Sequence, residues 1–291
     1  MKDTTISSRV IDFVNYTLLA IVAALMLFPF LYVVAVSFSS YKAYIQSDFM
    51  IIPKEWVLDA YRFIFASKSF LRSLWVTGLI TVIGTLVNLA FTSSFAYVLS
   101  RPVFGQRPVT FLVLFTMLFN AGMIPTYLVV KETGLMNTIW AMILPVAIAP
   151  FNLIVMRQFF QSIPSELHEA ATIDGANDLQ SFWRIILPLS KPSLAAFGLF
   201  YAVMHWNNYF TAILYMNDQK WWPIQTILRQ IVVVNEAQTS LANGQILLEN
   251  APPAETIQMA AIIVATVPIL IVYPFLQKHF AKGVMLGSVK G

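Results

Sequence analysis

The sequence contains no cysteine and little charge: of 291 residues, 18 are Lys or Arg and 14 are Asp or Glu, 11% in all. The absence of cysteine excludes a disulfide-stapled secreted domain. A soluble domain carries about a quarter charged residues, so the shortage of charge excludes a soluble enzyme. No run of lysine or arginine forms a nucleic-acid patch, although the net charge is +4 and the pI is near 9.2. What is present is apolar surface, with 58% hydrophobic residues and a mean hydropathy of +0.71.

Six runs are long and apolar enough to cross a bilayer: about 13–36, 74–99, 109–130, 138–160, 192–215 and 257–277. They lack the short alternation of a membrane barrel, and a helix satisfies its own backbone in lipid. The expected fold class is therefore an all-α integral membrane protein, one transmembrane domain over 1–291 with six helices. Pro29, Pro125, Pro145, Pro150, Pro268 and Pro274 fall inside these runs, where neighbouring helices can answer the freed backbone groups. The first run is too long for a signal-peptide core and no small-residue cleavage site follows it, so it reads as a retained span. No internal repeat suggests two related halves.

Cations in the connections set the orientation. With the N-terminus inside, the inner segments hold Lys2, Arg9, Arg101, Arg107, Arg157, Arg184, Lys191, Lys278, Lys282 and Lys290. The outer segments hold Lys42, Lys54, Arg62, Lys68, Arg72, Lys131, Lys220 and Arg229. Long outer loops weigh little in this rule, and the short 100–108 loop carries two arginines. An N-in, C-in topology follows. Two soluble segments then face outward, 37–73 and 216–256. The first carries Trp56, Tyr61, Phe63, Ile64 and Phe65 and fits an interfacial amphipathic segment. The second carries Trp221, Trp222 and the amides Asn235, Gln238, Asn243, Gln245 and Asn250; the tryptophans suit an interfacial anchor as well as a contact with another protein.

The inner loop 161–190 is the most informative stretch. Pro164 can open a helix, and Ile163, Leu167, Ala170 and Ala171 follow on one face. Gly175, directly after Asp174, is a C-terminal stop. A second helix can start at Asn177 with Gln180 as its capping-box partner, present Leu179, Phe182, Trp183 and Ile186 as its apolar face, and end at Leu187-Pro188. Pro192 can then open the fifth span. By periodicity alone this pair is either an ordinary connector under the membrane or a surface for another protein.

Glu169-Ala170-Ala171, Gly175, Ile185 and Leu187-Pro188 resemble the EAA motif of binding-protein-dependent ABC importer permeases at every position. The string IPSELHEAATIDGA is similar to the carbohydrate branch, the relatives of the smaller maltose-importer permease. LFPFLYVVAVSFSSY, IPTYLVVKETGLMNTIW and the VKG ending extend the likeness over nearly the whole chain, toward smaller permeases of alginate-type importers. The resemblance implies that the loop is a coupling helix pair, with Glu169, Ala170, Ala171, Asp174, Gly175, Ile185, Leu187 and Pro188 docking on a cytoplasmic ATPase. It implies a second permease as heterodimer partner, two ATPase subunits that bind ATP and Mg, and an external sugar-binding protein, periplasmic or extracellular, that delivers a saccharide. It also implies residence in a bacterial inner membrane. The chain has no GxxxxGK[ST] loop and so cannot itself be the ATPase. The family often has Asn-Ser where this chain has Val76-Thr77, after Leu74-Trp75, which argues against copying substrate contacts from distant relatives.

Polar residues inside spans are costly and mark cavities or helix contacts. Thr81, Thr85, Asn88 and Thr92 form a stripe in the second run; Thr116 and Asn120 lie in the third; Tyr201, His205 and Asn208 share a face in the fifth, beside Trp206, Asn207 and Tyr209. Asn88, Asn120, Tyr201, His205, Trp206, Asn207, Asn208 and Tyr209 are candidates for a saccharide path, since rings stack on sugar faces and amides bond hydroxyls. Packing is the alternative for each, above all for the threonines. The loop amides, Asn235 and Asn243 among them, and Trp221 and Trp222 are candidates for contact with the binding protein. No catalytic or metal-binding residue is expected: His168, His205 and His279 lie apart, and there is no HExxH. An ion-coupled transporter working without an ATPase is the other function class, but no span carries the midplane carboxylate such carriers use.

Overall fold

A computed structural model describes residues 6–40, 43–44, 46, 50–53, 55–233 and 252–288. The regular elements among the described residues are helical. In chain order they begin with α1 (Ile6–Ser37), α2 (Asp59–Ala66) and α3 (Lys68–Ser100). Next, α4 (Gln106–Leu118) and α5 (Met123–Glu132) meet at 119°, and α6 (Trp140–Val146) meets α7 (Pro150–Gln161) at 54°. After α8 (Ser165–Ile173), α9 (Asp178–Leu189) meets α10 (Lys191–Trp206) at 82°. Last come α11 (Phe210–Tyr215), α12 (Ile224–Val233) and α13 (Ala254–Ser288).

Helices α1, α3 and α13 are each long and apolar enough to cross a bilayer, and the bent pairs raise the number to six if each is one span. The bend between α9 and α10 lies at residue 190, ahead of the fifth run, and the third, fourth and fifth runs, expected to be unbroken, are also broken within. Each is interrupted, at 119–122, 147–149 and 207–209. The reasons are local. Gly122 takes φ +86°, open to glycine and strained for other residues, and its N–H is captured by the Asn120 side chain at 2.9 Å. Pro145 and Pro150 each remove a helical donor around 147–149. At 207–209 the Asn207 amide turns back to the Val203 carbonyl at 2.9 Å, and the Asn208 carboxamide accepts from the Thr211 N–H at 3.3 Å. Such side-chain bonds compete with the helical ladder.

The segment 216–256, expected to face outward, holds a helix that its polar composition does not suggest. It contains α12, with Ile224, Ile227 and Ile231 buried on one face. The α12 N-terminus is capped from outside: the Ile224 N–H donates to the Thr77 hydroxyl at 2.7 Å. Asn235, Gln238, Asn243, Gln245 and Asn250 lie outside the described residues.

Two compact units divide the chain. In the unit Leu71–Arg229 with Val267–Gly291, one apolar cluster joins Tyr97, Leu99, Leu153, Met156, Phe160, Phe182, Ile186, Phe197 and Tyr201. A second joins Val76, Ile80, Met142, Ile143, Ala212 and Met216. These clusters fasten α3 to α6, α7, α9, α10 and α11, and so fix the inner loop on its supports. In the unit Met1–Phe70 with Gln230–Thr266, Ala35, Ala43 and Met50 pack together. The Phe38 ring lies against Trp56 and Tyr61, with centroids 5.4 and 4.8 Å away, and the Ser37 and Tyr61 hydroxyls meet at 2.9 Å. Outside the cores the large side chains of α1, such as Phe13, Leu19, Leu25 and Phe30, are exposed. In a bilayer such exposure carries no hydrophobic cost, because lipid tails are as apolar as leucine.

Leu153 is fully buried, whereas Phe151, two residues earlier on the same helix, is largely exposed. Leu153→Ala is expected to destabilise the detergent-solubilised protein by about 2–5 kcal/mol, and Phe151→Ala by no more than about 0.5 kcal/mol. Unfolding of the two variants, followed by circular dichroism, checks the order.

Candidate functional site

The loop 161–190 folds as two capped helices. α8 opens after Pro164, which takes the N-cap position rather than the first turn, and carries Glu166 in its first turn, where a carboxylate suits the positive end of the helix. It closes by a complete Schellman motif: the Gly175 N–H donates to the Thr172 carbonyl at 3.0 Å and the Ala176 N–H to the Ala171 carbonyl at 2.9 Å. Gly175 has φ +85°, which an L side chain adopts at a cost of about 1–2 kcal/mol. Two residues on, Asn177 caps α9. Its side chain accepts from the Gln180 N–H at 2.8 Å, and the Gln180 side chain accepts from the Asn177 N–H at 3.0 Å. This is the capping box that the spacing predicts.

The rest of the pair departs from the sequence reading in two ways. Leu187-Pro188 does not end the second helix. Residues 182–186 widen into a π-turn and the helix runs on to Leu189. Proline 188 offers no N–H to the preceding turn, and a widened turn accommodates the ring. The expected apolar faces also split. Ala171, Phe182 and Ile186 are buried, while Leu167, Ile173, Leu179 and Trp183 stand open, Ile173 at 86% exposure. The inward positions are those that meet α3 and α7; the remaining apolar side chains point away from them. Glu169, Ala170, Asp174, Gly175 and Pro188 are exposed, and Ile185 and Leu187 are half-buried.

One cation, missed by the sequence reading, holds both helices. Arg101, just past the end of α3, donates to the Tyr97 hydroxyl at 2.6 Å and to the Asp178 carboxylate at 2.9 Å. Its guanidinium also meets the His168 ring, through Nδ1 at 3.2 Å and by a second contact to Nε2. The Tyr97 hydroxyl donates to the Asp178 carbonyl at 3.3 Å, and its ring packs on Phe182 at 5.0 Å. Asp178 is mostly exposed, so that ion pair alone stabilises little; the convergence on one guanidinium is what ties α8 and α9 to α3. The signal was His168, three positions before the buried Ala171 and so on the inward face. The end of α3 is held as well, because the Leu99 carbonyl accepts from Arg157 Nε at 2.7 Å and from the Gln106 side chain at 2.8 Å.

The candidate path residues separate into two sets. Asn88, Tyr201, His205 and also Thr92 are fully buried and pair within the chain. The Asn88 amide donates to the Val146 carbonyl at 2.6 Å and meets His205 Nε2 at 2.8 Å through its oxygen. The Thr92 and Tyr201 hydroxyls meet at 2.7 Å. Thr81 and Thr85 have buried hydroxyls with no partner among the described residues. The second set lies at the helix breaks: Asn120 at 119–122, and Asn207, Asn208 and Tyr209 at 207–209, with Trp206 half-buried beside them. Asn120, Asn207 and Tyr209 are exposed. The single face expected for Tyr201, His205 and Asn208 is not formed, because α10 ends at Trp206. Trp222 is half-buried against Val76 and Met142, with its indole N–H on the Met216 carbonyl at 3.2 Å; Trp221 is the more exposed of the pair.

Residues 63–286 match the family described as binding-protein-dependent transport system inner membrane component. The chain is 51% identical over 288 residues to protein LplC of Bacillus subtilis (strain 168), covering 99% of this chain and 97% of that protein. It is 50% identical over 289 residues to the polygalacturonan/rhamnogalacturonan transport system permease protein YtcP of the same organism, covering 98% and 99%. A chain of the crystal structure of a bacterial ABC transporter involved in the import of the acidic polysaccharide alginate superposes with a TM-score of 0.90. It is 36% identical and is covered completely by 96% of this chain.

The attachment of α8 carries a pH dependence. Burial lowers the His168 pKa below its ordinary 6.5, and the Arg101 charge lowers it further against the opposing pull of Asp178 and Glu169. Only an unprotonated ring nitrogen accepts from a guanidinium. The folded loop therefore binds fewer protons than the unfolded chain, so its attachment is complete above the unfolded value and is lost as pH falls through the lowered one. Amide exchange in 165–173, corrected for intrinsic rates, is expected to quicken between about pH 7.5 and about pH 5.5. His168→Gln should abolish that dependence, and Arg101→Leu should quicken exchange throughout. A pH-independent wild type would contradict the assignment.

Proposed function

The chain belongs to the family of binding-protein-dependent transport system inner membrane components, and from that premise we propose that it carries an acidic oligo- or polysaccharide through an ATP-driven importer. It is a sugar ABC importer permease: a transport subunit rather than an enzyme. The finer reading has three parts, concerning coupling, orientation and substrate.

The observation that carries the reading is the inner helix pair. Its ends are fixed by a Schellman motif and a capping box, its inward residues are tied to α3 by Arg101, and Leu167, Ile173, Leu179 and Trp183 are left exposed. An anchored element with an unpartnered apolar face suits a docking knob for the ATPase. Glu169, Ala170, Ala171, Asp174 and Gly175 supply the small, tightly turned tip, while Ile185, Leu187 and Pro188 lead back to α10. A second permease, two ATPase subunits that hold ATP and Mg, and an external binding protein complete the assembly. Support for six spans with both termini inside comes from the clustering of Arg101 and Arg157 around the end of α3 that faces this loop.

Support for an acidic substrate comes from the relatives, since polygalacturonan and alginate are both uronate polymers. In this chain Lys131 of α5, Arg229 of α12 and Lys220 between α11 and α12 are exposed. The path itself is assigned to Asn120, Trp206, Asn207, Asn208 and Tyr209 at the helix breaks, and Trp221 is the contact for the binding protein. Alginate itself is the narrower form of this proposal.

The test is uptake by the assembled complex in proteoliposomes, with oligogalacturonate and oligoalginate set against neutral oligosaccharides of equal length. Acidic chains are expected to enter at least about tenfold faster, the equivalent of 1.4 kcal/mol. Glu169→Lys and Gly175→Asp are each expected to reduce sugar-stimulated ATP hydrolysis by about tenfold or more, as central contacts of an interface do. Preference for neutral sugars overturns the substrate; full coupling in both variants overturns the docking role; uptake without ATPase subunits would move the chain to the ion-coupled class.

A further inference from the structure

The break between α6 and α7 has an unusual support. In a continuous helix the Val146 carbonyl would accept from the N–H of residue 150, but that residue is proline and has none. The orphaned carbonyl instead accepts from the Asn88 amide of α3 at 2.6 Å. The N–H of Ala149, on the other side of the break, donates to the Tyr201 hydroxyl of α10 at 3.4 Å. Each donor or acceptor is itself held: Asn88 by His205 Nε2 at 2.8 Å, and Tyr201 by Thr92 at 2.7 Å. His205 lies flat against Gly84, where an added Cβ would come within 2.5 Å of the ring. The Val146 carbonyl and the Ala149 N–H are thus met by side chains from α3 and α10, and those two side chains and the two that hold them are all buried.

We propose that Asn88, His205, Thr92 and Tyr201 form a latch on the break in the fourth span, and that this latch is the pivot through which motion of α8 reaches α3 and α10. The geometry gives it that place. α7 runs from the break to Gln161, and only residues 162–164 separate it from α8. A displacement of α8 is therefore passed along α7 to its far end, where the latch binds it to two other helices. The bend itself rests on no functional reading; the role in transport rests on the importer proposed above. These are positioning residues, since none is assigned a contact with the saccharide here.

The chain has no cysteine, so Leu144→Cys and Val155→Cys can carry a spin-label pair across the break in the assembled complex in nanodiscs. The unaltered latch is expected to give one narrow distance distribution. Asn88→Leu and Gly84→Ala, the latter by displacing His205, are expected to broaden or shift it. His205→Gln, whose amide can reach the same oxygen, keeps it narrow where His205→Leu does not. In proteoliposomes the sugar moved per ATP hydrolysed is expected to fall about fivefold or more in Asn88→Leu and Gly84→Ala. A purely structural loss lowers both activities and leaves the ratio unchanged. An unaltered distance distribution, or a ratio held at the wild-type value, overturns the proposal. If Asn88→Leu fails to assemble, Tyr201→Phe and Gly84→Ala carry the same two measurements. A wild-type complex that moves no sugar refutes the importer reading, while the distance distribution still decides whether the latch sets the bend.

Discussion

A backbone carbonyl or N–H without a partner costs several kcal/mol in hydrocarbon, and most of this architecture answers that constraint. Pro150 and Gly122 interrupt helices that hydropathy would run straight. Each interruption exposes backbone groups that have no water to meet. At 147–149 the answer comes from Asn88 and Tyr201 on other helices; at 119–122 it comes from Asn120 in the break itself, and at 207–209 from Asn208 together with the Thr226 hydroxyl of α12, which donates to the Tyr209 carbonyl at 3.3 Å. The first solution crosslinks three helices. The other two breaks leave their asparagine side chains more open, 119–122 closing within its own turn and 207–209 with help from α12.

Much of this was legible in the residues. Runs one, two and six each fall inside one long helix, three and four on bent pairs, and five on α10 and α11 with a break between them; the Asn177–Gln180 spacing gives the capping box without adjustment. Gly175 after Asp174 marks a left-handed turn because no other residue is so cheaply placed there. What periodicity could not give was partners at long sequence distance. Asn88 meets a carbonyl 58 residues away, and nothing in its local pattern distinguishes a packing amide from one facing a cavity. Arg101 read as a topology signal, which any short inner loop would show; its grip on His168 and Asp178 needs the fold. α12 was hidden by the polar stretch beyond it, although Ile224, Ile227 and Ile231 have helical spacing.

The inner helix pair has the physics of a part that must both hold shape and be handled. Isolated helices of nine residues, the length of α8, are marginal in water. Here the caps satisfy the terminal groups, and one guanidinium ties both helices to the long α3, so little apolar area is needed inward. That leaves Leu167, Ile173, Leu179 and Trp183 outside. In a soluble loop this would invite aggregation; beneath a membrane, on the importer reading, the ATPase covers it. The widened turn at 182–186 serves the same end by bringing Phe182 and Ile186 inward while Trp183 stays out.

The allocation of polar side chains bears on where a sugar can pass. A saccharide needs hydroxyl partners that are not already committed, because replacing a buried backbone bond would expose the orphaned group again. Asn88, Thr92, Tyr201 and His205 are committed in this way, and moving any of them would strip the 147–149 break of a donor or acceptor or loosen the side chain that supplies it. Asn120 bonds within its own turn, Asn207 meets Gln225 of α12 by one long bond of 3.5 Å to its oxygen, and the side chains of Asn120, Asn207 and Tyr209 are exposed. On the importer reading, then, the two open breaks can offer amides and rings to passing sugar units, while the buried, crosslinked break transmits force. The same residue type does both jobs, and what separates them is burial: Asn88 is sealed among three helices, while Asn120 and Asn207 are exposed.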